Sequence, residues 1–236
     1  IRPSVLVGDT ADVFLQRTLT ILRNEGINPT VAMEFFPNRS GVLCGMKEVR
    51  GLLAKVLPEA GSEVWALEEG DMVEAKEVAL RIKAPYASFG LYETAICGVL
   101  AHQSGWATAA HALAKAARDK PVVSVGAHNV HPSVAPVMDY AAVIGGCSAG
   151  STVLGARLAN TQPIATVSGA LVQLMGDPVK AMVAFDRAVA PDVQRVAYVD
   201  PRKDVVEQSV AVARTMRDRL NSVRLARVPG GEPIGA

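Results

Sequence analysis

Apolar and polar positions follow two different rhythms along this chain, and the change falls near residue 85. In the first stretch, residues 11–26 (ADVFLQRTLTILRNEG) repeat apolar side chains at helical spacing, with Leu15, Leu19 and Leu22 on one face and Gly26 as the stop. Val31–Phe36 (VAMEFF) predicts a strand ended by Pro37. Residues 45–57 (GMKEVRGLLAKVL) predict a helix whose buried stripe is Met46, Val49, Leu52, Leu53 and Val56. EVWALEEG (63–70) and KEVALRI (76–82) read as strands, the first closed by the acidic turn Glu68–Asp71. Residues 1–85 are thus a mixed α+β domain without βα alternation. Residues 86–120 predict two alanine-rich helices, 88–103 and 105–120, apolar on more than one face and so suited to an interior or an interface. His102 and His111 on them read as satisfied core or interface histidines, and Trp65 and Trp106 as packing residues.

From Pro121 a βα rhythm begins. Strand-like runs are PVVSVG, AAVIGGC, PIATVSG, RVAYVD and SVRLARV. Helix-like runs between them are part of SVAPVMDY, then AGSTVLGARLA, ALVQLMGDPVKAMVAFD and VVEQSVAVARTMRDRL. Five strands are fewer than the roughly eight of a closed parallel barrel. Residues 121–236 are therefore expected to form an incomplete βα-barrel domain, with PGGEPIGA as a frayed tail. The fold class is α/β: a mixed α+β N-terminal domain followed by a partial βα barrel.

Composition narrows the function. With 24 basic and 23 acidic side chains the net charge is +1, which argues against a polyanionic nucleic acid as partner. No run of about 18 apolar residues is present, so no membrane partner is expected. Three cysteines far apart (Cys44, Cys97, Cys147) make neither a disulfide framework nor a CxxC metal site and fit a reducing, cytoplasmic setting. The start at Ile1 reads as a trimmed chain without a visible signal peptide.

In a βα architecture the chemistry gathers where strands end. The first strand ends in SVGAHNVHP, where His128, Asn129 and His131 form a polar cluster suited to a small anionic or aromatic substrate, or simply to loop hydrogen bonds. The second passes through IGGCSAGS, either a seat of backbone N–H groups for phosphate or small residues needed for close packing, with Cys147 as a buried filler. The third places Ser168 and Gly169 at its mouth. The fourth ends in Asp200, fit for metal or hydroxyl contact or for capping the next helix. Arg224 lies in the fifth and can point into the barrel.

These motifs together resemble the nicotinate phosphoribosyltransferase family, of the type II phosphoribosyltransferase fold. ADVFLQRT (11–18), VAMEFFPNRSGVLCG (31–45), YETAICGVLAHQSGWATAA (92–110), SVGAHNVHPSVAPVMDYAAVIGGCSAGSTVLGA (124–156), PIATVSGALVQLMGD (163–177) and RVAYVDPRKD (195–204) follow in the family's order. The resemblance implies transfer of nicotinate, or a related pyridine base, to the anomeric carbon of phosphoribosyl pyrophosphate (PRPP) with loss of pyrophosphate. It implies Mg2+, PRPP as co-substrate, coupling to ATP in many members, and a homodimer or larger homo-oligomer. Arg17, Thr18, His131, Asp139, Asp200 and Asp204 carry over. Asp200 and His131 are the candidate catalytic residues. Phe14, Arg17, Thr18, His128, Asn129, Ser168, Gly169 and Arg224 are the candidate substrate-binding residues, and no residue is assigned to metal.

The chain departs from the family pattern at several positions. His128-Asn129 replaces a basic pair, Gly169 stands where the family has the histidine linked to ATP coupling, and Phe14 replaces a tyrosine. Ala226-Arg227-Val228-Pro229 replaces Asp-Thr-Pro, and the later strands with the family's phosphate-gripping glycine loops are expected beyond the end of this chain. ATP coupling through residue 169 is therefore expected to be lost. A catalytically silent paralogue acting as a binding or structural subunit is the rival reading. A site without a cation, preferring an uncharged base, is a third.

Overall fold

The computed structural model describes residues 1–225; the Ala226–Pro229 substitution, the end of the fifth strand-like run and the tail 229–236 lie outside the described residues. The described chain divides into two compact units, residues 1–163 and 164 onward.

The first unit begins with a single turn, α1 (Pro3–Leu6), and the amphipathic α2 (Val13–Asn24). Then come β1 (Thr30–Phe35), the two-residue β2 (Gly41–Val42), α3 (Met46–Val56), β3 (Glu63–Ala66), β4 (Met72–Val73) and β5 (Leu80–Pro85). β5 lies between β1 and β3, antiparallel to both. Its Leu80, Ile82 and Ala84 are buried while Arg81 and Lys83 face water, the period-2 alternation of a one-sided sheet. Across the solvent face Arg81 pairs with Glu34 and Lys83 with Glu63. The buried face joins Met46, Val49, Leu52 and Leu53 of α3 in the main core, with Phe89 and Ile96. β2 and β4 escape a sequence reading because two residues carry no period.

After α4 (Tyr86–Phe89) comes one helix of 25 residues, α5 (Glu93–Ala117), in place of the two expected over 88–103 and 105–120. Ser104 and Gly105 do not break it. The Ser104 hydroxyl accepts from the Cys44 N–H at 2.9 Å and lies 3.2 Å from the Cys44 carbonyl, while Thr108 accepts from the Val42 N–H. These contacts to β2 and the turn after it offset the cost of about 1 kcal/mol for a mid-helix glycine. His102 and His111 are exposed in the single chain, so neither is a core histidine, and His102 accepts from the Trp106 indole at 3.0 Å. Trp65 also stands on the exposed side of its strand rather than in a core.

The first βα segment follows: β6 (Val123–Ser124), α6 (Ala135–Ile144), β7 (Ala149–Gly150) and α7 (Val153–Leu158). β6 and β7 are parallel. The expected strand AAVIGGC is instead the last turn of α6 and the loop behind it. Pro136 favours a helix start, and Ala135, Met138, Asp139, Ala141 and Ala142 are buried with helical spacing. Gly145 ends this helix against α5: a methyl group there would lie 2.2 Å from the Ala107 carbonyl oxygen. Gly145→Ala is expected to lower unfolding free energy by about 2–3 kcal/mol, since neither backbone can yield cheaply, as denaturant titration would show.

In the second unit, α8 (Gly169–Met175), α9 (Pro178–Ala188), β8 (Val196–Val199), α10 (Val205–Met216) and β9 (Ser222–Leu225) alternate as expected of βα units, and β8 pairs parallel with β9. PIATVSG is extended but not a laddered strand; its Val167 N–H donates to Val196 O at 2.9 Å. The single helix expected over 170–186 is two, because Gly176 takes a left-handed φ of +73° and Asp177 caps Pro178–Ala188 through the N–H groups of Val179 and Lys180. Val167, Val172, Ala181, Met182, Ala197, Val212 and Met216 form this unit's core. Arg195 is buried at its edge. It pairs with Asp186 at 2.9 Å and donates to the carbonyls of Val189, Ala190, Pro191 and Val193 at the end of α9.

Candidate functional site

The polar residues of the second unit converge on one face of β8. Side chains alternate along a strand, so Ala197 and Val199 turn to the helices while Tyr198 and Asp200 share the opposite direction. Tyr198 stands in register with Arg224 on β9, and the Arg224 guanidinium lies 6.0 Å from the centre of the Tyr198 ring. Arg224 also donates to the Thr166 hydroxyl at 3.3 Å. On the α8 side, Gly169 backs onto the same ring: a methyl group at 169 would sit 3.1 Å from it. Ser168 uses its hydroxyl to cap α8, accepting from the Leu171 N–H at 3.1 Å. Of the predicted residues, Gly169 and Arg224 are brought together through Tyr198, which the sequence reading did not single out.

Asp200 is 8 % exposed and does not cap α10. That role falls to Asp204, which accepts from Val206 and Glu207 N–H at 2.9 Å. Asp200 is held instead by Arg202, whose Nε and backbone N–H donate to Oδ1 at 3.0 Å and whose Nη2 donates to Oδ2 at 2.9 Å. Gln208 pins the backbone of Asp200 from both sides, accepting from its N–H and donating to its C=O. The hydrogen bonds and charge of Arg202 hold the Asp200 carboxyl at about 2, below the ordinary 3.8. A carboxyl depressed in the folded state stabilises the fold above its unfolded pKa, and that contribution fades as pH falls from 3.8 toward about 2. The thermal midpoint of the native protein is therefore expected to fall more steeply over this window than that of Asp200→Asn, read by melting both across the pH range. Beside Asp200 lies an open cavity of about 300 Å³ lined by Val172, Gln173, Gly176, Pro178, Arg202, Lys203 and Gln208.

The remaining predicted residues belong to the first unit. Phe14, Arg17 and Thr18 lie within the first turns of α2, Phe14 58 % exposed and the Thr18 hydroxyl bonded back to Phe14 O. His128 and Asn129 end an exposed 3₁₀ turn, Gly126–Asn129. His131 accepts from the Ser133 N–H through Nδ1 at 3.2 Å, and its carbonyl starts α6, so it shapes the loop. The IGGCSAGS segment is no open phosphate seat. The N–H groups of Ser151 and Thr152 already donate to the buried carboxylate of Asp139 at 3.1 and 2.8 Å, and the hydroxyls of Ser124 and Thr152 donate to it at 2.7 Å. Cys147 is buried as expected.

The half-buried Glu69 appears in the sequence only as part of the acidic turn Glu68–Asp71. Glu69 accepts from the N–H groups of Gly45 and Lys47 at the start of α3, from the Tyr140 hydroxyl at 3.0 Å and from the Cys44 thiol at 3.2 Å. Burial, reinforced by Glu69, pushes the Cys44 thiol and the Tyr140 hydroxyl well up, so both remain protonated donors.

The family described as quinolinate phosphoribosyl transferase, N-terminal domain, matches residues 12–104. A nicotinate phosphoribosyltransferase of Mycobacterium tuberculosis is 28 % identical over 171 residues, covering 72 % of this chain and 36 % of the relative. The crystal structure of nicotinate-nucleotide pyrophosphorylase from Pyrococcus furiosus superposes with a TM-score of 0.89 at 37 % identity, over 98 % of this chain and 60 % of that one. The chain has the type II phosphoribosyltransferase fold and is similar in sequence to nicotinate phosphoribosyltransferases over 72 % of its length. Human nicotinic acid phosphoribosyltransferase shares the fold, with a TM-score of 0.72 at 17 % identity over 91 % of this chain and 60 % of that one. The chain thus spans about a third of the length of the curated relative and about three fifths of the two solved chains.

The described residues form no all-protein cage for a magnesium ion, which commonly binds through one or two carboxylates together with substrate phosphates. No group of three or more His, Cys, Asp or Glu side chains among them converges on one point, and Asp200 is paired with Arg202. Among the described residues no helix is long and apolar enough to cross a membrane.

Proposed function

We propose that the protein carrying this chain joins a pyridine carboxylate, nicotinate or a related base, to the ribose of PRPP, giving a mononucleotide for NAD biosynthesis. The observation that supports this reading is the face of β8 and β9, which gathers an aromatic ring (Tyr198), a cation beside it (Arg224) and a carboxylate two residues on (Asp200). Those are three groups the reaction asks for. A flat anionic base stacks on a ring and pairs its carboxylate with an arginine. A carboxylate faces the ribose as positive charge grows at the anomeric carbon while pyrophosphate departs.

In this reading Tyr198 and Arg224 orient the base, and Asp200 holds the ribose and stabilises its developing charge. Gly169 offers no atom to phosphorylate, and the Tyr198 ring fills the space next to it, so transfer runs without ATP coupling through this position. A homodimer or larger homo-oligomer, in a cytoplasmic setting, belongs to the same proposal.

The test is mononucleotide formation from PRPP with nicotinate, quinolinate and nicotinamide compared. A carboxylated base is expected to be preferred. Arg224→Ala is expected to raise KM for that base by about tenfold or more and to leave KM for PRPP nearly unchanged. Equal or better use of nicotinamide, with Arg224→Ala silent, would overturn the assignment of Arg224 and favour an uncharged base.

A further inference from the structure

We propose that Arg202 is an anion-operated latch: a phosphoryl anion entering the cavity lined by Gln173, Arg202, Lys203 and Gln208 draws the guanidinium off Asp200 and frees that carboxylate. Three observations carry this. First, Arg202 engages both oxygens of Asp200 with three hydrogen bonds, so about three of the carboxylate's four acceptor positions are taken and its charge is paired before any ribose hydroxyl arrives. Second, the two partners differ in mobility. The Arg202 side chain is 64 % exposed and its only side-chain hydrogen bonds among the described residues go to Asp200, whereas Gln208 fixes the Asp200 backbone. A swing of Arg202 alone therefore leaves strand and loop in place. Third, the cavity has the right chemistry at the right place. Lys203 adds a second exposed cation, Gln173 adds an amide, and Asp200 supplies the sole carboxylate in the lining. A guanidinium fork that fits a carboxylate also fits a phosphate, and a multiply charged phosphoryl group competes well for it.

The consequence for catalysis rests on the reading of Asp200 as the ribose contact: the carboxylate regains its unpaired charge and all its acceptor positions once a phosphoryl group has arrived. The binding event does not rest on that reading and is measured without turnover. Inorganic pyrophosphate and orthophosphate are titrated calorimetrically into the native protein and four variants. Arg202→Gln and Lys203→Gln are each expected to weaken binding of the preferred anion by about tenfold. Asp200→Asn, which removes the competitor for Arg202, is expected to tighten it by about tenfold. Asp204→Asn removes an equal charge that does not touch Arg202 and is expected to shift affinity by less than about twofold. The tighter of the two probes tells whether a diphosphate or a monophosphate works the latch. Equal tightening by Asp200→Asn and Asp204→Asn would reduce the effect to general charge and overturn the latch. Absence of anion binding to the folded native protein would overturn the site itself.

Discussion

Asp139→Ala is expected to lower the unfolding free energy of the first unit by about 4 kcal/mol. Asp139 has no exposed surface and gathers four donors: the hydroxyls of Ser124 and Thr152 and the N–H groups of Ser151 and Thr152. Truncation leaves buried backbone N–H groups without an acceptor, and each such loss costs about 1–3 kcal/mol. The carboxylate also ties α6 to β6 and to the start of α7, so its removal loosens both ends of this βα segment. Asp139→Asn keeps the volume but turns an NH₂ toward donors, and is expected to cost roughly half as much. The same network explains two glycines. A methyl group at Gly150 or Gly155 would come within 2.6 or 2.5 Å of Asp139 Cβ, so either alanine variant is expected to be destabilised as well. Denaturant titration followed by circular dichroism measures all four variants. An unchanged midpoint in Asp139→Ala would show that the four donors are not the support they form here.

Asp200→Asn is expected to reduce kcat for mononucleotide formation by about 100-fold or more while leaving the fold intact near neutral pH. The amide preserves shape, and the change releases Arg202 to solvent, where the guanidinium is already largely exposed. The loss therefore reports on charge at the anomeric centre rather than on folding. A variant with native kcat would remove Asp200 from the mechanism and would leave the Asp200–Arg202 pair as a loop brace.

Much of the first unit was legible in the sequence because its elements bury one face each. The stripe Met46–Val49–Leu52–Leu53 and the alternation Leu80–Ile82–Ala84 are patterns that water imposes directly. The errors fall where that signal is silent. A four-residue apolar run such as Ala141–Ile144 fits a strand or a buried helix equally well, and only its packing decides. Ser104-Gly105 looks like a break because local propensity is visible in a sequence, whereas the bonds from Ser104 and Thr108 to residues some sixty positions earlier are not. At the candidate site the strand ends pointed to Asp200, Gly169 and Arg224, but not to what surrounds them. Tyr198 was already within reach, since it lies two residues before Asp200 and shares its face. Arg202 was not, because a cation in a Pro-Arg-Lys turn reads as a solvated charge until its distance to Asp200 is known. Glycines in IGGCSAGS suggested an anion seat; the structure fills that seat with the protein's own carboxylate.

Product formation itself separates an active transferase from a silent fold. The purified protein is incubated with PRPP, magnesium and nicotinate or quinolinate, with and without ATP, and the mononucleotide is followed by chromatography. Mononucleotide is expected at the same rate whether or not ATP is present, and is expected to be lost in Asp200→Asn. A folded protein that yields no mononucleotide from either base at high concentration would rule out the proposed transfer and favour a catalytically silent relative that keeps the fold without it.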